Sequence, residues 1–321
     1  MRLSAVCHAL VLVLLTPAVA VAESDYPSHP VRIVVGFGPG AAADLTARVL
    51  AEQLSRKFGQ QFFIENKPGG GGTVAAQQVV RGPKDGYTLM IGTAANVING
   101  VLQPNLPFDF ARDFAPIVLT TASPNFLVVN PSTGVTDTKG LIALSKAKPG
   151  QIFYGSSGVG TSPHLTGELF NMMAGISMTH VPYSGSAQAV TDLLADRIQV
   201  MFSPASTVLP HVEAGKLTAL ATSEKARAAS APELPTIWES ALPGFDTSVW
   251  FGVVAPVGVP QDIIDKLSRA LNEALKDPAA AKLLSAGGLD VKGGTPEEFG
   301  AYIASETKKY GDVANAAGLR K

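Results

Sequence analysis

One arrangement occurs twice in this chain, and it leaves few folds open: an apolar strand, a glycine-rich turn and then a helix. Residues 31–37 (VRIVVGF) form a continuous apolar run suited to a strand buried on both faces, and Gly36-Phe37-Gly38-Pro39-Gly40 carries it into a helix beginning near Ala42. Residues 151–155 and the turn Gly155-Ser156-Ser157-Gly158-Val159-Gly160-Thr161 do the same ahead of a helix over 164–174. A strand running straight into a helix sets the unpaired N–H groups of the first helical turn beside the connecting loop, where they attract an anion. Two such loops predict two walls closing on one small acidic ligand.

The surrounding pattern agrees with an α/β fold. Leu45, Val49, Leu50, Leu54 and Phe58 recur near helical spacing, and Gly59 ends the run. A strand over 61–65, a helix over 73–80 and a strand over 87–92 complete β-α-β-α-β, the pattern of a parallel sheet covered by helices. Further on, strands are expected at 116–120, 126–129, 179–183, 198–202 and 217–222, with helices at 137–147 and 186–194. The strand over 250–255 and the helix over 260–275 read as a return to the first domain. The expected division is 23–122 plus 247–321 for domain 1 and 123–246 for domain 2.

Residues 1–22 read as a signal peptide: Arg2 begins it, an apolar stretch runs through Leu10 to Leu15, and Ala20-Val21-Ala22 fits the small-x-small rule before cleavage. Pro17 interrupts a run that is already short for a membrane span. Cys7, the only cysteine, falls inside this leader, so the exported chain is expected to lack disulfides, thiol catalysis and thiolate metal sites. Losing Arg2 shifts the formal net charge of −1 by one unit, to −2. With no basic cluster along the sequence, nucleic acid is not an expected partner.

Competing readings of the motifs are weaker. Gly36-x-Gly38-x-x-Ala41 approaches a dinucleotide fingerprint, with Glu65 where an acidic residue would meet a ribose, but Pro39 is out of place in such a turn. Gly155-x-Ser157-x-Val159 lacks the final glycine of a hydrolase elbow. His29, His164, His180 and His211 show no close metal spacing, so no metal and no cofactor are expected, and His180 reads as strand architecture. Asp44 sits in the first turn of its helix, where a carboxylate accepts from exposed N–H groups, with Arg48 one turn on. Phe37 suits the apolar body of a bound acid. The run Asn66-Lys67-Pro68-Gly69-Gly70-Gly71-Gly72-Thr73 reads either as a third anion-facing loop or as close packing.

Several ordered motifs together resemble the Bug/TctC family of extracytoplasmic solute receptors of tripartite tricarboxylate transport systems. They are Pro30-Val31-Arg32-Ile33-Val34-Val35, Phe37-Gly38-Pro39-Gly40 through Asp44, Glu65-Asn66-Lys67-Pro68-Gly69, Pro83-Lys84-Asp85-Gly86-Tyr87, Tyr154-Gly155-Ser156-Ser157-Gly158 and His180-Val181-Pro182-Tyr183-Ser184-Gly185-Ser186. The resemblance implies a non-enzymatic, monomeric periplasmic receptor with a type II periplasmic-binding-protein-like α/β fold, two domains and a hinged cleft. It implies a small organic carboxylate as ligand, and transporter membrane subunits or a sensor kinase as partner. The positions it assigns to the ligand are Phe37, Gly40, Ala41, Ala42 and Asp44 in one wall and Ser156, Ser157, Gly158, Gly160 and Thr161 in the other. Thr93, Ala94, Tyr183 and the Ser203-Pro204 turn lie nearby. Here the first loop is poor in hydroxyls, and Ser203 stands where many relatives have an acidic residue. Those departures favour a di- or tricarboxylate, or an aromatic carboxylate, over an acidic amino acid.

Overall fold

The computed structural model describes residues 25–103 and 105–319, so the leader read at 1–22, Cys7 included, lies outside the described residues. The first apolar run becomes β1 (Val31–Val35), followed by α1 (Ala42–Phe58), β2 (Phe62–Asn66), α2 (Thr73–Val80), β3 (Thr88–Thr93) and α3 (Ala94–Leu102). A single turn, α4 (Phe110–Asp113), leads into β4 (Phe114–Val129). Then come α5 (Thr138–Ala147), β5 (Phe153–Ser156), α6 (Ser162–Ala174), β6 (Thr179–Pro182), α7 (Ser186–Leu194), β7 (Val200–Pro204), α8 (Ala205–Glu213), β8 (Thr218–Thr222) and α9 (Ile237–Ser240). The C-terminal part holds β9 (Ser248–Pro256), α10 (Gln261–Lys276), α11 (Pro278–Ala286), β10 (Asp290–Val291) and α12 (Pro296–Ala316).

α1 shows how sequence becomes element. Ala47, Val49, Leu50, Ala51 and Leu54 are buried on one face, against the β1 side chains Ile33 and Val35. Burying a leucine of this kind contributes roughly 2 kcal/mol. Gly59 terminates the helix in the left-handed region, its N–H donating to Ser55 O.

The strands form one sheet in the order β2-β1-β3-β9-β4-β7-β5-β6, with β8 and β10 pairing on β4. β1 is parallel to β2 and β3, and β5 is parallel to β6 and β7. Between these parallel halves run β4 and β9, antiparallel to each other. β4 corrects the expectation of two strands at 116–120 and 126–129: it is a single strand of 16 residues. Ser123-Pro124-Asn125 looks like a break but is a change of partner. β4 pairs with β9 up to Pro124 opposite Ser248, then with β7 from Asn125 opposite Pro204. A proline is tolerated where one ladder ends and the next begins.

Candidate functional site

Five strands of this sheet pass directly into helices: β1 to α1, β3 to α3, β5 to α6, β6 to α7 and β7 to α8. All five helix starts meet at one cavity of about 230 Å³ along the carboxyl ends of the strands. Ala41, Ala42 and Ala43 come from α1, Thr93, Ala94 and Ala95 from α3, and Thr161, Ser162 and Pro163 from α6. Ser186 opens α7, and Pro204 precedes α8. Phe37, Val249 and Phe251 supply the remaining apolar surface, and no charged side chain lines the cavity. Each helix start carries roughly half a positive charge from its aligned peptide dipoles. A larger hollow of about 510 Å³ lies beside 106–112, but no helix of eight residues or more starts in it.

The first loop is shaped by Asp44. Its side chain is buried and accepts from Gly40 N–H at 2.9 Å, Arg48 Nε at 2.8 Å and Asn66 Nδ2 at 2.9 Å. Burial pushes this carboxyl up, but the bonds from Arg48, Gly40 and Asn66 outweigh it and hold it below the ordinary carboxylate range. Asn66 also donates to Phe37 O at 2.9 Å, fixing the aromatic that lines the cavity. The Gly40 N–H, expected to face the ligand, is therefore spent on Asp44. The N–H groups of Ala42 and Ala43 precede the first helical bond, from Leu45 N–H to Ala41 O. Gly36 permits the loop to approach the glycine run, since a Cβ there would lie 2.6 Å from Gly72 Cα. The run packs closely here and does not line the cavity, with Asn99 Nδ2 donating to Gly70 O at 3.3 Å.

The second loop is held by hydroxyls and imidazoles. Ser156 Oγ accepts from Gly158 N–H at 3.1 Å and lies 2.7 Å from His180 Nε2. Thr161 Oγ1 donates to Gly158 O at 2.7 Å, and Gly160 N–H donates to His164 Nδ1 at 3.3 Å. Gly160 has φ +78, and a Cβ there would stand 2.9 Å from Asn99 Oδ1 of α3, so this loop meets the opposite wall with no room for a side chain.

Of the sequence-predicted positions, the structure brings Phe37, Ala41, Ala42, Thr93, Ala94, Ser157 and Thr161 to the cavity. Gly40, Asp44, Gly158 and Gly160 shape the loops from outside the lining. Ser156 is fully buried beneath its loop, so its hydroxyl serves the backbone and does not face the cavity. Tyr183 is turned away, donating to Asp192 Oδ2 at 2.9 Å, and burial together with that bond pushes its hydroxyl up to about 12. Ser203 is buried next to Pro204, and its hydroxyl has no hydrogen-bond partner. Among the lining hydroxyls, Thr93 is engaged by Asn96, Thr161 by Gly158 O and Ser162 by Ser248 O, which leaves Ser157 and Ser186 free for a ligand. Sequence reasoning missed Ser162, Pro163 and Ser186 as lining. Ser186 had a readable signal, because Ser184-Gly185-Ser186 follows a strand and opens a helix. Val249 and Phe251 had none, since they arrive on an antiparallel strand from a distant part of the chain. Among the described residues no group of three or more His, Cys, Asp or Glu side chains could hold a metal ion.

Comparison with known proteins places this geometry. The tripartite tricarboxylate transporter family receptor profile (TctC) matches residues 46–319. Protein BugT of Bordetella pertussis is 33% identical over 305 residues, 94% of either chain. A UPF0065 protein from the tcbD-tcbE intergenic region of Pseudomonas sp. strain P51 is 35% identical over 286 residues, 89% of this chain and 85% of the relative. Among solved structures, R. palustris Rpa4515 with adipate superposes with a TM-score of 0.81 at 35% identity, covering 92% of this chain and 99% of the other. MatC from Rhodopseudomonas palustris with bound malate gives 0.77 at 28% identity, covering 90% and 99%. The fold is an α/β periplasmic-binding-protein fold, and the protein binds a small organic ligand. The chain belongs to the tripartite tricarboxylate transporter receptor family, TctC.

Proposed function

We propose that this protein is a periplasmic receptor that captures a small carboxylate with an apolar body, an aliphatic dicarboxylate or an aromatic carboxylate, and presents it to the membrane subunits of a tripartite tricarboxylate transporter. The observation that carries this reading is the convergence of five helix starts on a cavity without a charged side chain. Backbone dipoles attract an anion there, and none of the lining side chains supplies a counter-charge. The N–H groups of Ala42 and Ala43 on one wall, and of Ser162 with the Ser157 and Ser186 hydroxyls on the other, offer two separated places for carboxylate oxygens. Phe37, Val249 and Phe251 suit the carbon skeleton between them. A hydroxylated tricarboxylate such as citrate fits less well, because only two lining hydroxyls are free to meet its extra polar groups. The adipate and malate bound to the two solved relatives support the dicarboxylate class.

The reading includes export by the 1–22 leader and two domains, 23–122 with 247–321 and 123–246, hinged where β4 passes from β9 to β7. Closure of the hinge encloses the solute and forms the surface that the membrane subunits recognise. No bond of the solute changes.

Titration calorimetry of the leaderless protein against adipate, malate, benzoate and citrate tests it. Saturable one-to-one binding of adipate or benzoate, tighter than that of citrate, is the expected result. A protein that binds none of the four defeats the proposal.

A further inference from the structure

Beneath the second loop, away from the cavity, three rings form a column. His164 lies on His180 with centroids 4.0 Å apart and planes 28° apart, and His180 lies on Tyr154 at 4.9 Å and 29°. The histidines come from different elements, α6 and β6, so the stack is a product of the fold. Each imidazole grips one end of the loop: His180 Nε2 at Ser156 Oγ, and His164 Nδ1 at Gly160 N–H. Neither ring lines the cavity. Accepting from Gly160 requires His164 Nδ1 to be unprotonated, which puts its proton on Nε2, facing Glu168 Oε1 at 4.0 Å. Glu168 also accepts from the Tyr154 hydroxyl.

We propose that His164 and His180 are positioning residues for ligand capture: as a stacked, uncharged pair they fix the backbone of 156–161, so that the Ser157 hydroxyl and the N–H groups opening α6 stand ready at the cavity. The loop needs this help because it has little else. Of its bonds to side chains from beyond the loop, one ends on His180 and one on His164, whereas the first loop has an ionised carboxylate with three donors. The pair must be uncharged to serve. Two cationic rings 4 Å apart in a partly dry site repel strongly, and a protonated Nδ1 presents Gly160 N–H with a second donor. Burial disfavours the charged form of both, lowering His164 to about 4 and His180, which also feels His164, to about 3.

This inference concerns the loop's role in the function proposed above, and its test separates the two. In His164→Asn the Oδ1 takes the place of Nδ1 and accepts from Gly160; in His164→Leu the volume is kept and the acceptor is lost. With adipate as the probe, Asn should keep affinity within about threefold of the unaltered chain, and Leu should weaken it about tenfold. Equal affinity in both variants overturns the proposal. If the unaltered chain does not bind adipate, that counts against the solute assignment alone, and two ligand-free measurements still decide the positioning. Imidazole nitrogen shifts at pH 7 should show both rings uncharged, with His164 Nδ1 bare. Hydrogen exchange at Gly160 should be slow with His or Asn at position 164 and fast with Leu. A charged ring, or a Gly160 amide indifferent to these variants, overturns the proposal.

Discussion

In the first loop the fixing bonds end on an ionised carboxylate; in the second they end on hydroxyls and uncharged rings. Both loops follow a parallel strand, both open a helix, and both bring a helix start to the same cavity. Asp44 organises the first by taking in Gly40 N–H, Asn66 and Arg48, so its negative charge is spent behind the wall and leaves the cavity's field intact. The second loop holds no charge at all, only Ser156, Thr161 and the histidine stack. The comparison teaches that an anion site built from backbone dipoles constrains its supports more than its lining: whatever braces the loop must not project negative charge toward the ligand.

The two braces should fail at different acidities. Between pH 6.5 and about 4 an unfolded chain protonates both histidines while the folded chain leaves them neutral, so the unfolded state binds more protons and stability falls as pH falls. The slope approaches about 2.7 kcal/mol per pH unit for two such groups. Asp44 has the same sign and a lower window, because its carboxyl is lowered from 3.8 and its contribution goes only as pH drops below that value. Glu224 and Glu306, which burial pushes up, act in the opposite direction. The measurement is therefore a difference: urea unfolding at pH 7, 6, 5 and 4.5 for the unaltered chain and His180→Phe, which keeps a ring in the stack without a titrating group. The variant's slope should be shallower by about 1.4 kcal/mol per unit. Equal slopes would show that the second brace does not depend on a neutral His180.

Glycine substitutions probe the backbone of the two loops. Gly40 and Gly160 both have positive φ, at +82 and +78, so alanine strains the backbone by about 1 kcal/mol at either. Their surroundings differ. A Cβ at Gly40 meets nothing within 4 Å, whereas one at Gly160 comes 2.9 Å from Asn99 Oδ1. Gly160→Ala should therefore cost about 2 kcal/mol in solute binding, against about 1 kcal/mol or less for Gly40→Ala. Calorimetry of the two variants side by side checks it, and a Gly40→Ala that binds worse than Gly160→Ala would reverse the assignment of the tighter wall.

Much of this architecture was legible because it is local. The Ala42–Phe58 helix could be bounded from its apolar spacing and Gly59, and both strand–turn–helix loops announced themselves through glycines next to apolar runs. What escaped depends on distant partners. β4 looked like two strands because nothing in 116–129 says that β9 hands over to β7 at Pro124. α12 went unread although Thr295 and Glu298 form a capping box, since Glu306 interrupts its apolar stripe. That carboxylate is buried only because Trp250 Nε1, 3.0 Å away, and Lys309 meet it there. In the site, the hydroxyl-bearing turn 155–161 was visible, but which of its serines faces the cavity was not. Ser156 and Ser157 are adjacent, and it is His180, on another strand, that draws Ser156 inward.

That division of labour between neighbours yields the smallest effect. Ser157 and Ser186 are the lining hydroxyls with no partner in the protein, so each should contribute one neutral hydrogen bond to the solute, about 1 kcal/mol or roughly fivefold in affinity. Because neither hydroxyl braces a loop, Ser157→Ala and Ser186→Ala should leave the unfolding midpoint unchanged. Ser156→Ala should behave in the opposite way: it strands Gly158 N–H and one side of His180, lowering stability by about 1–2 kcal/mol, and it reaches the solute only through the loop. Affinity and unfolding measured on the three variants separate lining from bracing. If Ser186→Ala lowers stability, or Ser157→Ala leaves affinity untouched while Ser156→Ala abolishes it without destabilising the fold, then the contact with the solute runs through the inner serine, and the boundary between brace and lining has to be redrawn at that residue.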